Sequence, residues 1–124
     1  AKWFGENRLI MVVHGVAKAG VDLKRVGPGD IEIRGGTLAI QLPKPQLTDV
    51  YLDERRTEIV ERSTGLLRAM DKDLETEARR QAVDRIKVAA VDAGILKEAE
   101  ERARLQFTEL ATRAGCTNVE IRLK

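Results

Sequence analysis

Of the residue types on which most site chemistry depends, the 124-residue chain has few: one cysteine (Cys116), one histidine (His14), one tryptophan, one tyrosine and two phenylalanines. A single cysteine excludes an intramolecular disulfide. One His and one Cys cannot supply the three or four such ligands a transition metal takes, so a structural zinc within one chain is excluded. Four aromatics are too few for a base-stacking platform, although Trp3 and Phe4 are adjacent. Charge of one sign is lacking too: 22 Lys and Arg against 20 Asp and Glu leave a net charge of +2, which is no footprint for nucleic acid. No apolar run approaches the ~20 residues that span a bilayer, and the longest, Leu9 to Val13, is strand-sized. Neither GxxxxGK nor GxGxxG occurs, so nucleotide binding has no support and no cofactor is expected. The chain begins at Ala1 without an initiating Met, which suggests an excised or processed piece of a longer protein.

What is present is the composition of a folded protein, 34% charged and 43% hydrophobic. The length suits a single domain over residues 1–124 with a real core. Residues 8–63 read as strands. In "RLIMVVHGVAKAGVDL", apolar residues fall on both parities with β-branched residues frequent, as in an interior strand. "VGPGD", Val26 to Asp30, is a turn by composition.

Gly35 and Gly36 separate "IEIR" from "TLAIQL", the two-residue glycine pair of a primed hairpin turn. Closing the hairpin there sets Ile33 against Leu38 and Ile31 against Ile40, with all four on one face. "LPKPQL" ends that strand with two prolines that remove backbone donors and hold the chain extended. Pro43 and Pro45 would keep Lys44 and Gln46 directed outward, so Pro43, Lys44, Pro45 and Gln46 form the candidate interaction surface. Beyond it, "LTDVYLDE" and "TEIVERS" read as two strands joined by a turn at "DERR".

Residues 66–114 change period. Leu67, Met70, Leu74, Ala78, Ala82, Ile86, Ala89 and Ala93 form one amphipathic stripe, broken at Gly94. A second stripe from Leu96 through Ala99, Ala103, Phe107, Leu110 and Ala114 ends at Gly115. Glu75 with Arg79, Glu98 with Arg102 and Glu100 with Arg104 stand at the i,i+4 spacing that supports a solvent-facing helix surface. Val119, Ile121 and Leu123 alternate with charge in a final strand over residues 117–123. The expected fold is α+β: an antiparallel sheet of five to six strands, two helices packed on one face and a last strand returning to the sheet.

The candidate reactive residues are isolated. In one extended strand His14 and Asp22 stand about 26 Å apart, at roughly 3.3 Å per residue, and "VAKA" between them lacks turn residues. Asp22 opening "DLKRV" reads instead as a structural cap for one helical turn. His14 beside Gly15 reads as a sheet residue at a bend or bulge. Cys116 after Gly115 reads as a small thiol at a helix-to-strand junction, with a nucleophile as the alternative. "DKDLE", Asp71 to Glu75, opens like a calcium loop but has Thr76 in the glycine position and Ala82 in place of the bidentate glutamate. No catalytic, metal or cofactor residue is assigned.

"VAKAGVDL", "LPKPQL", "AVDAGILKEAEERA" and "LATRAGCTNVEI", in that order, resemble the bacterial family known as domain of unknown function 4230. The match runs from Ile10 to Leu123. The resemblance implies a domain carried behind an N-terminal membrane anchor, with no assigned activity and no catalytic residues. The expected function is therefore a non-enzymatic interaction or assembly domain, membrane-tethered in the full-length protein, with a protein partner or self-association. A binder of a small ligand or lipid head group, and a hydrolase using Cys116, are the alternatives.

Overall fold

The computed structural model of the chain describes residues 10–61 and 68–124. Trp3, Phe4, Leu67 and the expected end of the strand-rich half at Ser63 lie outside the described residues. The described elements are β1 (Ile10–Val12), β2 (Gly15–Gly20), β3 (Ile31–Arg34), β4 (Thr37–Leu42), β5 (Gln46–Leu52), β6 (Glu58–Glu61), α1 (Arg68–Asp92), α2 (Ile95–Arg113) and β7 (Asn118–Leu123). Three short 3-10 turns, Leu23–Arg25, Pro28–Asp30 and Glu54–Arg56, lie between strands.

The fold is α+β, with a correction to the sheet. Instead of one antiparallel sheet of five to six strands, the strands form small separate sheets: β1 with β6, β2 with β5, and a three-stranded sheet in the order β3-β4-β7. The last strand does join a sheet, but parallel to β4, with Leu38 opposite Val119 and Ile40 opposite Ile121. Alternation of apolar and charged residues is the same in either direction, so it carries no information on this point. The segmentation follows from local chemistry. Two of the 3-10 turns open on an aspartate whose carboxylate accepts from the amide two residues on, Asp22 from Lys24 at 3.0 Å and Asp53 from Arg55 at 3.1 Å. Each diverts the backbone from ladder pairing for one turn.

The chain divides into two compact units, one of Ala1–Ala17 with Asp49–Ala90, the other of Lys18–Thr48 with Val91–Lys124. In the first, β1 pairs antiparallel with β6, with Met11 opposite Ile59 and an irregularity between Ile10 and Met11. β1 ends before His14, whose carbonyl accepts from the Asp53 amide at 2.7 Å. Gly15 follows because α1 passes close by: a Cβ there would stand 2.0 Å from Cδ1 of Ile86. The glycine expected to relieve a bend thus makes room for a helix.

In the second unit the hairpin forms in the expected register, Ile31 opposite Ile40 and Ile33 opposite Leu38. Gly35 and Gly36 have φ of 53° and 82°, the pair of left-handed residues a type I′ turn needs. The Gly36 carbonyl accepts from Thr117 at 2.8 Å and so ties the turn to the start of β7. Gly94, at φ 91°, separates the two helices. α2 then lays Ala103 on Ile40 and Leu42, with Val21, Val26, Phe107, Ile121 and Leu123 packed around them. Ile40 and Leu42 are almost fully buried, each stabilising the fold by about 1.5–3 kcal/mol. Alanine at 103 lets the helix approach these strands without overpacking.

Candidate interaction surface

The three-stranded sheet of the second unit has two edges with different treatment. On β4, the closing hairpin pair Arg34 and Thr37 fixes which groups face which neighbour. In a two-residue hairpin that pair is hydrogen-bonded, so Arg34 and Glu32 turn their amides and carbonyls inward to β4. Ile33 and Ile31 turn theirs outward. The Ile31 amide is already used, donating to the Pro28 carbonyl. Among the described residues, the Ile33 N–H, the Ile33 carbonyl and the Ile31 carbonyl have no partner.

The opposite edge is occupied at one carbonyl. On β7 the outward carbonyl of Ile121 accepts from Nη1 of Arg104 at 3.1 Å. Glu100 holds that guanidinium through Nε and Nη2 at 3.2 and 3.0 Å. The Glu100 to Arg104 pair expected as mere surface charge therefore occupies one outward carbonyl of that edge. Lys124, at the end of β7, donates to the Arg25 carbonyl at 2.6 Å and to Asp30 Oδ2 at 2.9 Å. Asp30 also accepts from the Gly27 amide at 2.9 Å. The Gly27 hydrogen bond, then Lys124, holds the Asp30 carboxyl below its ordinary value of 3.8.

The two faces of the sheet also differ. α2 covers β4 and β7, while Ile33 and Ile31 on the same face are 65% and 45% exposed. An exposed isoleucine is ordinary on its own; two on an unpaired edge are the liability that proteins usually blunt. The other face carries Glu32, Ala39, Gln41, Glu120 and Arg122, which with Asp30 line a shallow polar groove of about 270 Å³. Glu32 and Arg34 form an ion pair at 2.5 Å on that face.

In the first unit a second concavity, about 460 Å³, runs along α1 and is lined by Val13, Ala78, Gln81, Ala82, Arg85, Ile86 and Ala89. Next to it Arg79 binds Glu54 with Nη1 to Oε1 at 2.6 Å and Glu75 with Nη2 at 3.2 Å. Burial disfavours the Arg79 cation, but the hydrogen bonds it donates to Glu54 and Glu75 outweigh that cost and raise its pKa above the ordinary guanidinium value. This clamp joins the Asp53-capped turn to α1. The i,i+4 pair was legible from spacing, but its third member, Glu54, was not.

"LPKPQL" leaves Leu42 and Pro43 fully buried, Pro45 half-buried, and Lys44 and Gln46 exposed. Only two of the four residues of the expected surface are thus fully presented. His14 and Asp22 bracket β2, and no hydrogen bond joins them to one another among the described residues. Cys116 is a free, half-buried thiol just past α2, its amide donating to the Ala111 carbonyl at 2.9 Å. Asp71 to Glu75 lie inside α1, and among the described residues no group of acids, His and Cys could hold a metal ion. No described helix is long and apolar enough to cross a membrane.

These features define, among the described residues, an α+β domain with an exposed strand edge and two open grooves. The chain belongs to the family described as protein of unknown function (DUF4230), whose model matches residues 1–121. No curated protein matches the chain, and no solved structure does.

Proposed function

We propose that the chain is a non-enzymatic interaction or assembly domain that works tethered to a membrane in the full-length protein. The observation that carries this reading is the unblocked β3 edge, with Ile31 and Ile33 exposed on it. A catalytic domain would be expected to gather an acid, a base or a nucleophile in one recess; here the displayed resource is backbone and apolar surface. The test is affinity recovery of the full-length protein from its native membrane fraction after mild cross-linking. A reproducible partner, or recovery of a second copy, supports the reading, whereas turnover in a hydrolase screen that Cys116→Ala abolishes would overturn it. In the same assay the double change Lys44→Glu with Gln46→Ala separates the proline segment from the strand edge, and undiminished recovery removes the segment.

The groove on α1 favours a second reading, a binder of a small apolar ligand with an anionic group. Its volume falls in the range of ligand pockets, roughly 300–1,000 Å³, and Arg85 with Gln81 supplies polar atoms beside an apolar floor. Ligand-detected mass spectrometry of the protein released from native membranes decides it: a bound lipid lost on Ala82→Trp supports it, and no retained ligand eliminates it.

A further inference from the structure

We infer that the β3 edge is a self-pairing surface, taking β3 of a second copy antiparallel about a two-fold axis through Ile33. This deepens the assembly reading and rests on it. The occupant follows from the charge pattern. With Ile33 opposite its own copy, Glu32 of each strand faces Arg34 of the other, so two attractive cross-strand pairs form at once. Sliding the axis by one residue to Glu32 sets two glutamates face to face. That register also asks the Ile31 amide to cross the interface, and it is already donating to Pro28. The Ile33 register uses only the free groups, as Ile33 N–H and carbonyl form a mutual hydrogen-bonded pair with their copies.

The consequence is a continuous six-stranded sheet, β7-β4-β3 followed by the same three strands reversed. A two-fold perpendicular to the sheet keeps α2 of both copies on the same face and brings the two exposed Ile33 side chains together. Both outer edges of the enlarged sheet are then β7 edges, on each of which Arg104 occupies the Ile121 carbonyl, one of the groups a further strand would need. A charged edge ordinarily deters strand addition; this one deters every register except its own. A four-residue strand pair covers much less than the roughly 1,200–2,000 Å² of a stable interface. It therefore acts where a tether holds copies together, since local concentration replaces contact area.

The test uses the whole chain with Cys116→Ala, carried on vesicles of phosphatidylcholine and a nickel-chelating lipid by an added terminal histidine tag. In the paired state Ile33 Cα atoms would lie about 5.5 Å apart, within the disulfide range of about 4.4–6.8 Å. Ile33→Cys should therefore cross-link under aerobic copper-phenanthroline about tenfold faster than Val88→Cys, an equally exposed position on α1. Ile31→Cys should cross-link no faster than Val88→Cys, because its copy lies four residues away along the pair. Adding Glu32→Arg or Arg34→Glu to Ile33→Cys should slow cross-linking about tenfold in each variant alone, and mixing the two should restore it, since each unlike pair is then attractive. Equal rates at 33 and 88, faster linking at 31 than at 33, or no rescue on mixing would overturn the inference. Partner recovery from native membranes reports separately on the assembly reading, so pairing can fail while that reading stands.

Discussion

Gly15 offers the sharpest check on how the first unit is put together. A methyl group at this position would stand 2.0, 2.8 and 3.2 Å from Cδ1, Cγ1 and Cγ2 of Ile86. Turning χ2 of Ile86 moves Cδ1 alone, whereas Cγ1 and Cγ2 move only with χ1, which a β-branched side chain in a helix holds in one strongly preferred rotamer. Overpacking of this kind costs about 1–3 kcal/mol. Against it, replacing a strand glycine by alanine recovers about 0.5–1 kcal/mol of backbone entropy. Gly15→Ala should therefore destabilise by roughly 1–2 kcal/mol, lowering the thermal midpoint by about 4–8 °C for a chain of this size. Ile86→Ala alone loses part of a half-buried side chain and should cost about 1–2 kcal/mol. The double variant removes all three clashing atoms while the new methyl refills part of the space. Its loss should fall short of the sum by at least about 1 kcal/mol. Thermal and urea unfolding of the four proteins measure this cycle. Additive losses, or a Gly15→Ala protein as stable as the parent, would refute the close approach of α1 to Gly15.

Asp30→Asn tests the tie at the end of β7 through pH. Its lowered carboxyl pKa means that the stabilisation is fully present above the unfolded value of about 3.9 and is lost as pH falls through the lower folded value. The gap in thermal midpoint between parent and variant should thus be constant near neutrality and close below about pH 3.5; a gap unchanged at pH 2 would contradict it. Asp22→Ala and Asp53→Ala should each cost about 0.5–1 kcal/mol as lost caps in urea unfolding, and an effect at only one would break the equivalence of the two turns. Arg104→Ala should cost about 1 kcal/mol and increase self-association seen by light scattering, because the Ile121 carbonyl loses its donor and becomes free to pair.

Local chemistry made part of the fold legible in the sequence. The hairpin could be read because Gly35 and Gly36 set the register within two residues and the four apolar partners agree with it. The helices could be read because their stripe persists for many turns and breaks only at Gly94. The size of the sheets could not, since it depends on 3-10 turns at Asp22 and Asp53 that look like ordinary strand ends. "DLKRV" and "DERRT" form the same turn, with Asp φ of −79° and −81°, yet only the first stood out as a cap. The parallel direction of β7 and the role of Gly15 were invisible because each depends on an element far along the chain.

The same limit hides the open β3 edge from the sequence, and it supplies a control. β3 and β7 both contain the triplet Glu-Ile-Arg, at residues 32–34 and 120–122, and both are outer strands of one sheet. By sequence they are equivalent edges with the same self-complementary charges. They differ in what reaches them: Arg104 occupies the Ile121 carbonyl, whereas the Ile33 amide and carbonyl meet nothing among the described residues. Reversing a charge should therefore have unequal effects. Glu120→Arg in the Ile33→Cys chain should leave vesicle cross-linking within about twofold of the parent, while Glu32→Arg lowers it about tenfold. Both changes are exposed and on the same face, so both should keep unfolding free energy within about 0.5 kcal/mol. Equal slowing by the two would show that net charge governs association, and the pairing through β3 would be lost with it.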